Sequence, residues 1–194
     1  MCGRFMFEPQ ASPEIQRIYD LACQSGAKPA TGEVFPTDLT AVVVSQQQNI
    51  IVTTMPWGFP GFQTNQNIIN ARAETLEQKR LFARPFQTQR AVYPTTGFFE
   101  WNQVKEKYWF NYTPTPQPLY IAGFYDYFSQ KRHGIIITTK PNAAVAPIHQ
   151  RMPLLLSKKQ ISPWLKDIKF ARQLLTQEQP PLTATLKSKQ NQEG

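Results

Sequence analysis

Cysteine and histidine are scarce in this chain, with two of each among 194 residues. Neither Cys-x-x-Cys nor His-Glu-x-x-His spacing occurs, so no metal site is expected. The phosphate-cradling patterns Gly-x-x-x-x-Gly-Lys-Ser/Thr and Gly-x-Gly-x-x-Gly are also missing, and with them the usual grounds for a nucleotide cofactor. No cofactor is expected. No apolar run approaches the roughly 18 residues needed for a membrane span, and none follows Arg4 to make a secretory signal. Two cysteines, Cys2 and Cys23, make no disulfide framework, and a chain of this length can build a core without one. Cys23 falls on a helix face and is expected to be a small buried residue. The expected setting is the reducing cytoplasm, and the expected state a monomer.

What is present fits a globular protein, with 41% hydrophobic and 18% charged residues. The balance of 21 basic against 13 acidic residues gives a net charge of +8, which favours a polyanionic partner. The cations are scattered along the chain, so only folding can gather them on one face.

Ser12-Pro13 reads as an N-cap with proline at the first helical position, and Ile15, Ile18, Tyr19 and Ala22 follow at helical spacing up to Gly26. Residues 27–39 read as an extended loop. Ala41–Ser45 and Ile50–Met55 form a hairpin pattern, and Glu74–Ala83 a short helix. Strand patterns follow at Ala91–Tyr93, Gly97–Trp101, Tyr108–Tyr112, Leu119–Tyr125 and Gly134–Thr139. A last helix is expected from about Ser157 or Ser162 to Leu175. These patterns predict an α+β protein with a mainly antiparallel, barrel-like sheet and a few peripheral helices. One domain over 1–176 and a polar, mobile tail over 177–194 are expected.

Cys2 carries the chemistry. With Met1 removed, it would present an α-amine and a thiol on one residue, able to form a Schiff base with an aldehyde and then close a thiazolidine ring. Glu100 lies in Gly97-Phe98-Phe99-Glu100-Trp101, where desolvation would raise its pKa and suit it to proton transfer, unless it simply faces solvent. His149 precedes Arg151 in a loop after Asn142–Ala146, and a lone histidine of this kind is more often structural than functional. His133 is expected to face solvent. Asn70 and Arg72 either decorate a helix entry or supply an amide and a phosphate clamp. Gly3 permits close backbone approach, and Arg4 and Arg151 suit phosphate. Trp57, Phe62 and Trp101 could stack on bases or pack in the core.

Taken together, Cys2-Gly3-Arg4-Phe5, Trp57-Gly58, Asn70-Ala71-Arg72-x-Glu74-Thr75, Gly97-Phe98-Phe99-Glu100-Trp101, Thr138-Thr139 and His149-x-Arg151-Met152-Pro153 resemble the SRAP family, the SOS-response-associated peptidase domain of abasic-site processing proteins. The resemblance implies a DNA-damage role: binding abasic sites in single-stranded DNA and cross-linking covalently through the terminal cysteine. It implies Cys2 as nucleophile, Asn70 as its orienting amide, Glu100 as proton shuttle, and His149 as helper in sugar ring opening. It further implies DNA contacts at Gly3, Arg4, Trp57, Phe62, Arg72, Trp101, Thr138 and Arg151, a weak Schiff-base lyase activity, and self-processing that exposes Cys2. Three features depart from the family pattern: Glu33-Val34-Phe35-Pro36-Thr37, Phe62-Gln63 in place of paired tryptophans, and a short C-terminal segment. Competing readings are a plain single-stranded nucleic-acid binder, a peptidase acting on other proteins, and a glutamine amidotransferase. The absence of any Gly-Asp pair argues against the last.

Overall fold

The computed structural model describes residues 2–61, 66–112 and 117–187. In chain order the elements are β1 (Phe5–Phe7), α1 (Pro13–Gln24), β2 (Gly32–Val34), β3 (Leu39–Gln46), β4 (Asn49–Pro56) and β5 (Asn70–Arg72). Then come α2 (Arg80–Thr88), β6 (Arg90–Thr95), β7 (Gly97–Trp101), β8 (Lys107–Asn111), β9 (Leu119–Phe128) and β10 (Lys131–Thr139). The chain closes with β11 (Met152–Pro153), β12 (Leu155–Leu156), α3 (Ile161–Lys166), α4 (Ile168–Leu174) and β13 (Thr183–Lys187).

The expected α+β class is correct, with mostly antiparallel pairing. The expected barrel is not what forms. One sheet runs β13-β8-β7-β1-β2 and the other β11-β10-β9-β6-β3-β4, with β12 on β9 and β5 parallel to β10; both are open paths. The reason lies at one corner. Between β6 and β7 the chain leaves one sheet for the other, and Thr95 fixes the turn by receiving the Gly97 N–H (3.1 Å) and donating to the Gly97 carbonyl (2.7 Å). A series of hairpins reads the same in sequence whether the ribbon closes on itself or changes sheets. The core lies between the sheets, where Phe5 meets Trp57 and Tyr93 with ring centroids 5.1 and 6.4 Å apart.

Local signals were the reliable ones. The Ser12 hydroxyl accepts the Ile15 N–H, and α1 turns Ile15, Ile18 and Ala22 inward. The β3–β4 hairpin turns through Gln47 and Gln48, whose φ values of 48° and 67° are those of a type I′ turn. Elsewhere the expectations need correction. The loop over 27–39 contains β2, which pairs with β1. The helix foreseen at 74–83 becomes a 3-10 turn at Leu76–Gln78 followed by α2. The last helix is split, because the Asp167 side chain accepts from Lys169 and Phe170 N–H and caps a new one, α4. The tail is not free up to Lys187: β13 pairs with β8 from Thr183↔Asn111 to Lys187↔Lys107. Cys23 is half-buried rather than buried. His133 is half-buried, with Nδ1 3.0 Å from the Gly58 carbonyl.

A buried guanidinium joins the helices to the sheet. Arg90 donates to the carbonyls of Phe86 (2.9 Å) and Gln87 (2.6 Å) at the end of α2, and to Trp164 (2.5 Å) and Leu165 (3.2 Å) in α3. Helix C-termini leave such carbonyls unpaired and carry partial negative charge, so one cation serves two ends.

Gly134 is required by close approach. A Cβ there would stand 1.8 Å from the Tyr93 hydroxyl, which is buried without a hydrogen-bond partner among the described residues. Gly134→Ala should destabilise by about 2–3 kcal/mol through overpacking. Tyr93→Phe alone should be neutral or stabilising, since it removes an unsatisfied polar group. The two together should recover most of the loss; equal losses in both backgrounds, measured by urea unfolding, would contradict the assigned clash.

Candidate functional site at the start of the chain

Cys2-Gly3-Arg4 leads into β1, a strand held between β2 and β7, and the Phe99 N–H donates to the Arg4 carbonyl at 3.0 Å. Cys2 is wholly buried. Its carbonyl accepts from Asn70 Nδ2 at 2.9 Å, and Asn70 is placed by β5 lying alongside β10, opposite Ile136. Asn70 Oδ1 is buried with no partner among the described residues, leaving a free acceptor on the same amide that holds Cys2. Burial, and then the nearby Glu100 charge, push the Cys2 thiol far up, so it is protonated in this state. Its Sγ lies 3.8 Å from the Arg4 carbonyl.

Strand alternation sets Glu100 in the interior. Phe98 and Glu100 share the inward face of β7, while Phe99 and Trp101 share the other. Glu100 is only 2% exposed, and burial pushes its carboxyl up to about 7. The solvent-facing alternative is thereby removed. His149 Nδ1 stands 3.6 Å from Glu100 Oε1. The same nitrogen lies 2.9 Å from the Arg151 carbonyl oxygen and 3.1 Å from its amide nitrogen, so the backbone of Arg151 fixes the ring. Burial lowers the His149 pKa, which leaves a neutral imidazole at pH 7 beside a carboxyl near half-ionisation. Cys2, Asn70, Glu100 and His149, drawn from distant segments, are thus one cluster.

The residues foreseen as DNA contacts divide. Arg72 is exposed and, with Trp101, Asn102, Gln103 and the 146–151 loop, lines an open cleft of about 790 Å³. Gly3 and Arg4 are half-buried and do not line it. Arg4 packs over Phe35 (4.1 Å) and Trp101 (5.1 Å) and donates to Glu33 at 3.3 Å. Arg151 also lines the cleft, but its guanidinium is held in a fork by both Glu74 oxygens (2.8 and 2.9 Å) and by the Thr138 carbonyl (2.6 Å). Two expectations are corrected. Trp57 is fully buried, its indole N–H donating to the Ile69 carbonyl at 3.0 Å, and has no face for a base. Thr138 is fully buried against Ala71 and Arg151. Phe62 lies outside the described residues.

Sequence reasoning missed Glu33 and Glu74 as partners of these cations. The signal for Glu74 was available, three positions from Ala71 in the same motif as Arg72; that for Glu33 depends on the β1–β2 pairing, which aligns it with Met6. Among the described residues no group of three or more His, Cys, Asp or Glu stands ready to hold a metal ion. No helix among them is long and apolar enough to cross a membrane.

Two open, mainly antiparallel sheets bring the segment at Cys2 against a buried carboxyl and an imidazole, the arrangement that defines this class of fold and candidate site. The family model described as SOS response associated peptidase (SRAP) matches residues 1–190, and the chain belongs to that family. It is 28% identical over 184 residues to the abasic site processing protein YoqW of Bacillus subtilis (strain 168), covering 85% of this chain and 80% of that one. It is 26% identical over 140 residues to the abasic site processing protein YedK of Escherichia coli (strain K12), covering 69% and 63%. Among solved structures, a phage-related protein of Bordetella bronchiseptica shares the fold with a TM-score of 0.74 at 20% identity, covering 96% of this chain and 94% of that one. A Bacteroides thetaiotaomicron protein matches at 0.74 and 21%, covering 95% and 91%.

Proposed function

We propose that the protein captures the ring-opened sugar aldehyde of an abasic site in single-stranded DNA as a thiazolidine on Cys2, after loss of Met1. The observation that carries this reading is the convergence of Asn70, Glu100 and His149 on Cys2, supported by the names of the relatives. Removal of Met1 hydrolyses one peptide bond, which gives the peptidase in the family description a self-directed meaning.

The chemistry balances without a redox step. His149, neutral at pH 7, accepts the anomeric hydroxyl proton as the bond from that carbon to the ring oxygen breaks, and returns it to the ring oxygen, which leaves as a hydroxyl on the opened sugar. The Cys2 nitrogen adds to the aldehyde carbon, protonated Glu100 gives its proton to the departing hydroxyl, and water leaves as C=N forms. Sγ then attacks that carbon as the nitrogen recovers the C=N electron pair, and the thiol proton passes to the Glu100 carboxylate, restoring the acid. One water is lost overall. The Asn70 amide holds the Cys2 carbonyl, and its Oδ1 is suited to accept from the new amine. Loss of a proton next to C=N, before sulfur closes the ring, would give the weak strand-cleaving lyase activity.

Arg72 and Trp101 in the cleft supply a phosphate contact and a stacking face, which suits a lesion that has no base to read. Intact mass spectrometry of the protein mixed with abasic single-stranded DNA should show Met1 absent and the mass of protein plus DNA less one water. Binding that disappears in high salt, with no such mass, would instead fit a non-covalent strand binder.

A further inference from the structure

The outer face of the β13-β8-β7-β1-β2 sheet carries a second arrangement of chemistry. Directly paired residues share a face, so Phe99↔Trp109, Trp101↔Lys107 and Lys187↔Lys107 place these side chains together, opposite the core pair Phe98 and Phe110. Cations and rings interleave across it. Arg4 lies 5.1 Å from the Trp101 ring, Lys107 4.0 Å from Phe99 and 5.8 Å from Trp101, and Lys187 5.9 Å from Trp109. Trp109 lies flat on the sheet because Gly97 is beneath it: a Cβ at Gly97 would stand 2.5 Å from two indole carbons. Glu33 neutralises part of this charge through Arg4 and Lys107, whereas Lys187 has no carboxylate partner among the described residues. Trp101 belongs both to this face and to the cleft lining, so the two surfaces are continuous.

We propose that this face is a strand path for undamaged single-stranded nucleic acid leading away from the cleft, with Trp109 as a stacking platform and Lys187 and Lys107 as phosphate contacts. The proposal extends the function above to the partner's flanking nucleotides and rests on it for the cleft end. Aromatic faces with cations between them accept successive bases without reading sequence. Same-face side chains along β8 stand about 7 Å apart, which gives a chain of separate contacts rather than one pocket.

The test uses Trp109→Leu and, because that change could disturb packing, Lys187→Glu on the exposed edge strand. Anisotropy with an undamaged 20-nucleotide single strand should show about tenfold weaker binding for each. A base-free strand of the same length should lose affinity in Lys187→Glu but not in Trp109→Leu. The rate of Cys2 adduct formation with an abasic tetranucleotide, too short to leave the cleft, should not change. Unchanged affinity for the 20-mer in Lys187→Glu overturns the proposal, and so does an equal loss on the tetranucleotide in both variants. If wild-type protein reacts with no abasic strand, the capture chemistry fails, while the anisotropy measurements still decide the strand path.

Discussion

Cys2→Ala is expected to abolish the stable adduct with abasic DNA completely while leaving one that borohydride can trap. The alanine variant keeps an α-amine at its start once Met1 is gone, and an amine suffices for a Schiff base. It lacks the sulfur that closes the ring. Without borohydride, the alanine protein should cleave more DNA than wild type does, since the imine persists without capture. Denaturing gels with and without borohydride separate the outcomes. A wild-type yield of heat-stable adduct from the alanine protein would remove Cys2 from the chemistry.

Glu100→Gln should slow adduct formation by about a hundredfold or more, the scale of a lost general acid–base group. Because burial holds this carboxyl up at about 7, the wild-type rate should inflect near that pH and the glutamine variant should not. Stability supplies an independent check. The folded-state pKa lies above the unfolded value of about 4.3, so the native state binds the proton more tightly. Its contribution is fully present below the unfolded pKa and is lost as pH rises through about 7. Urea midpoints of the two proteins should therefore agree better at pH 5 than at pH 8, where the glutamine variant should be the more stable. A constant difference would mean that Glu100 does not titrate in this range.

The fold was legible where its causes are local. Ser12 and Pro13 announce α1, and the β3–β4 and β7–β8 hairpins lie where strand patterns meet polar turns. The change of sheet at Thr95–Gly97 was not legible, because its cause is a partner, β1, of only three residues and therefore without periodicity. The strand at Thr183–Lys187 hid for a similar reason: all but its first residue are exposed and most are polar, so no buried stripe marks it. In the site, Cys2, Asn70, Glu100 and His149 were named from their motifs, while their mutual approach depends on β5 lying beside β10. Trp57 misled because a proline- and glycine-rich surrounding reads as a surface loop. The structure bridges that segment to Gly134 and buries the ring.

The distribution of the cluster along the chain has a consequence for biosynthesis. Cys2 leaves the ribosome well ahead of His149, which emerges 147 positions later. At about 5–20 residues per second this is an interval of roughly 7–30 seconds. A newborn chain in that interval carries the sulfur without the imidazole, so the cluster is completed in stages, Asn70 and Glu100 first and His149 last.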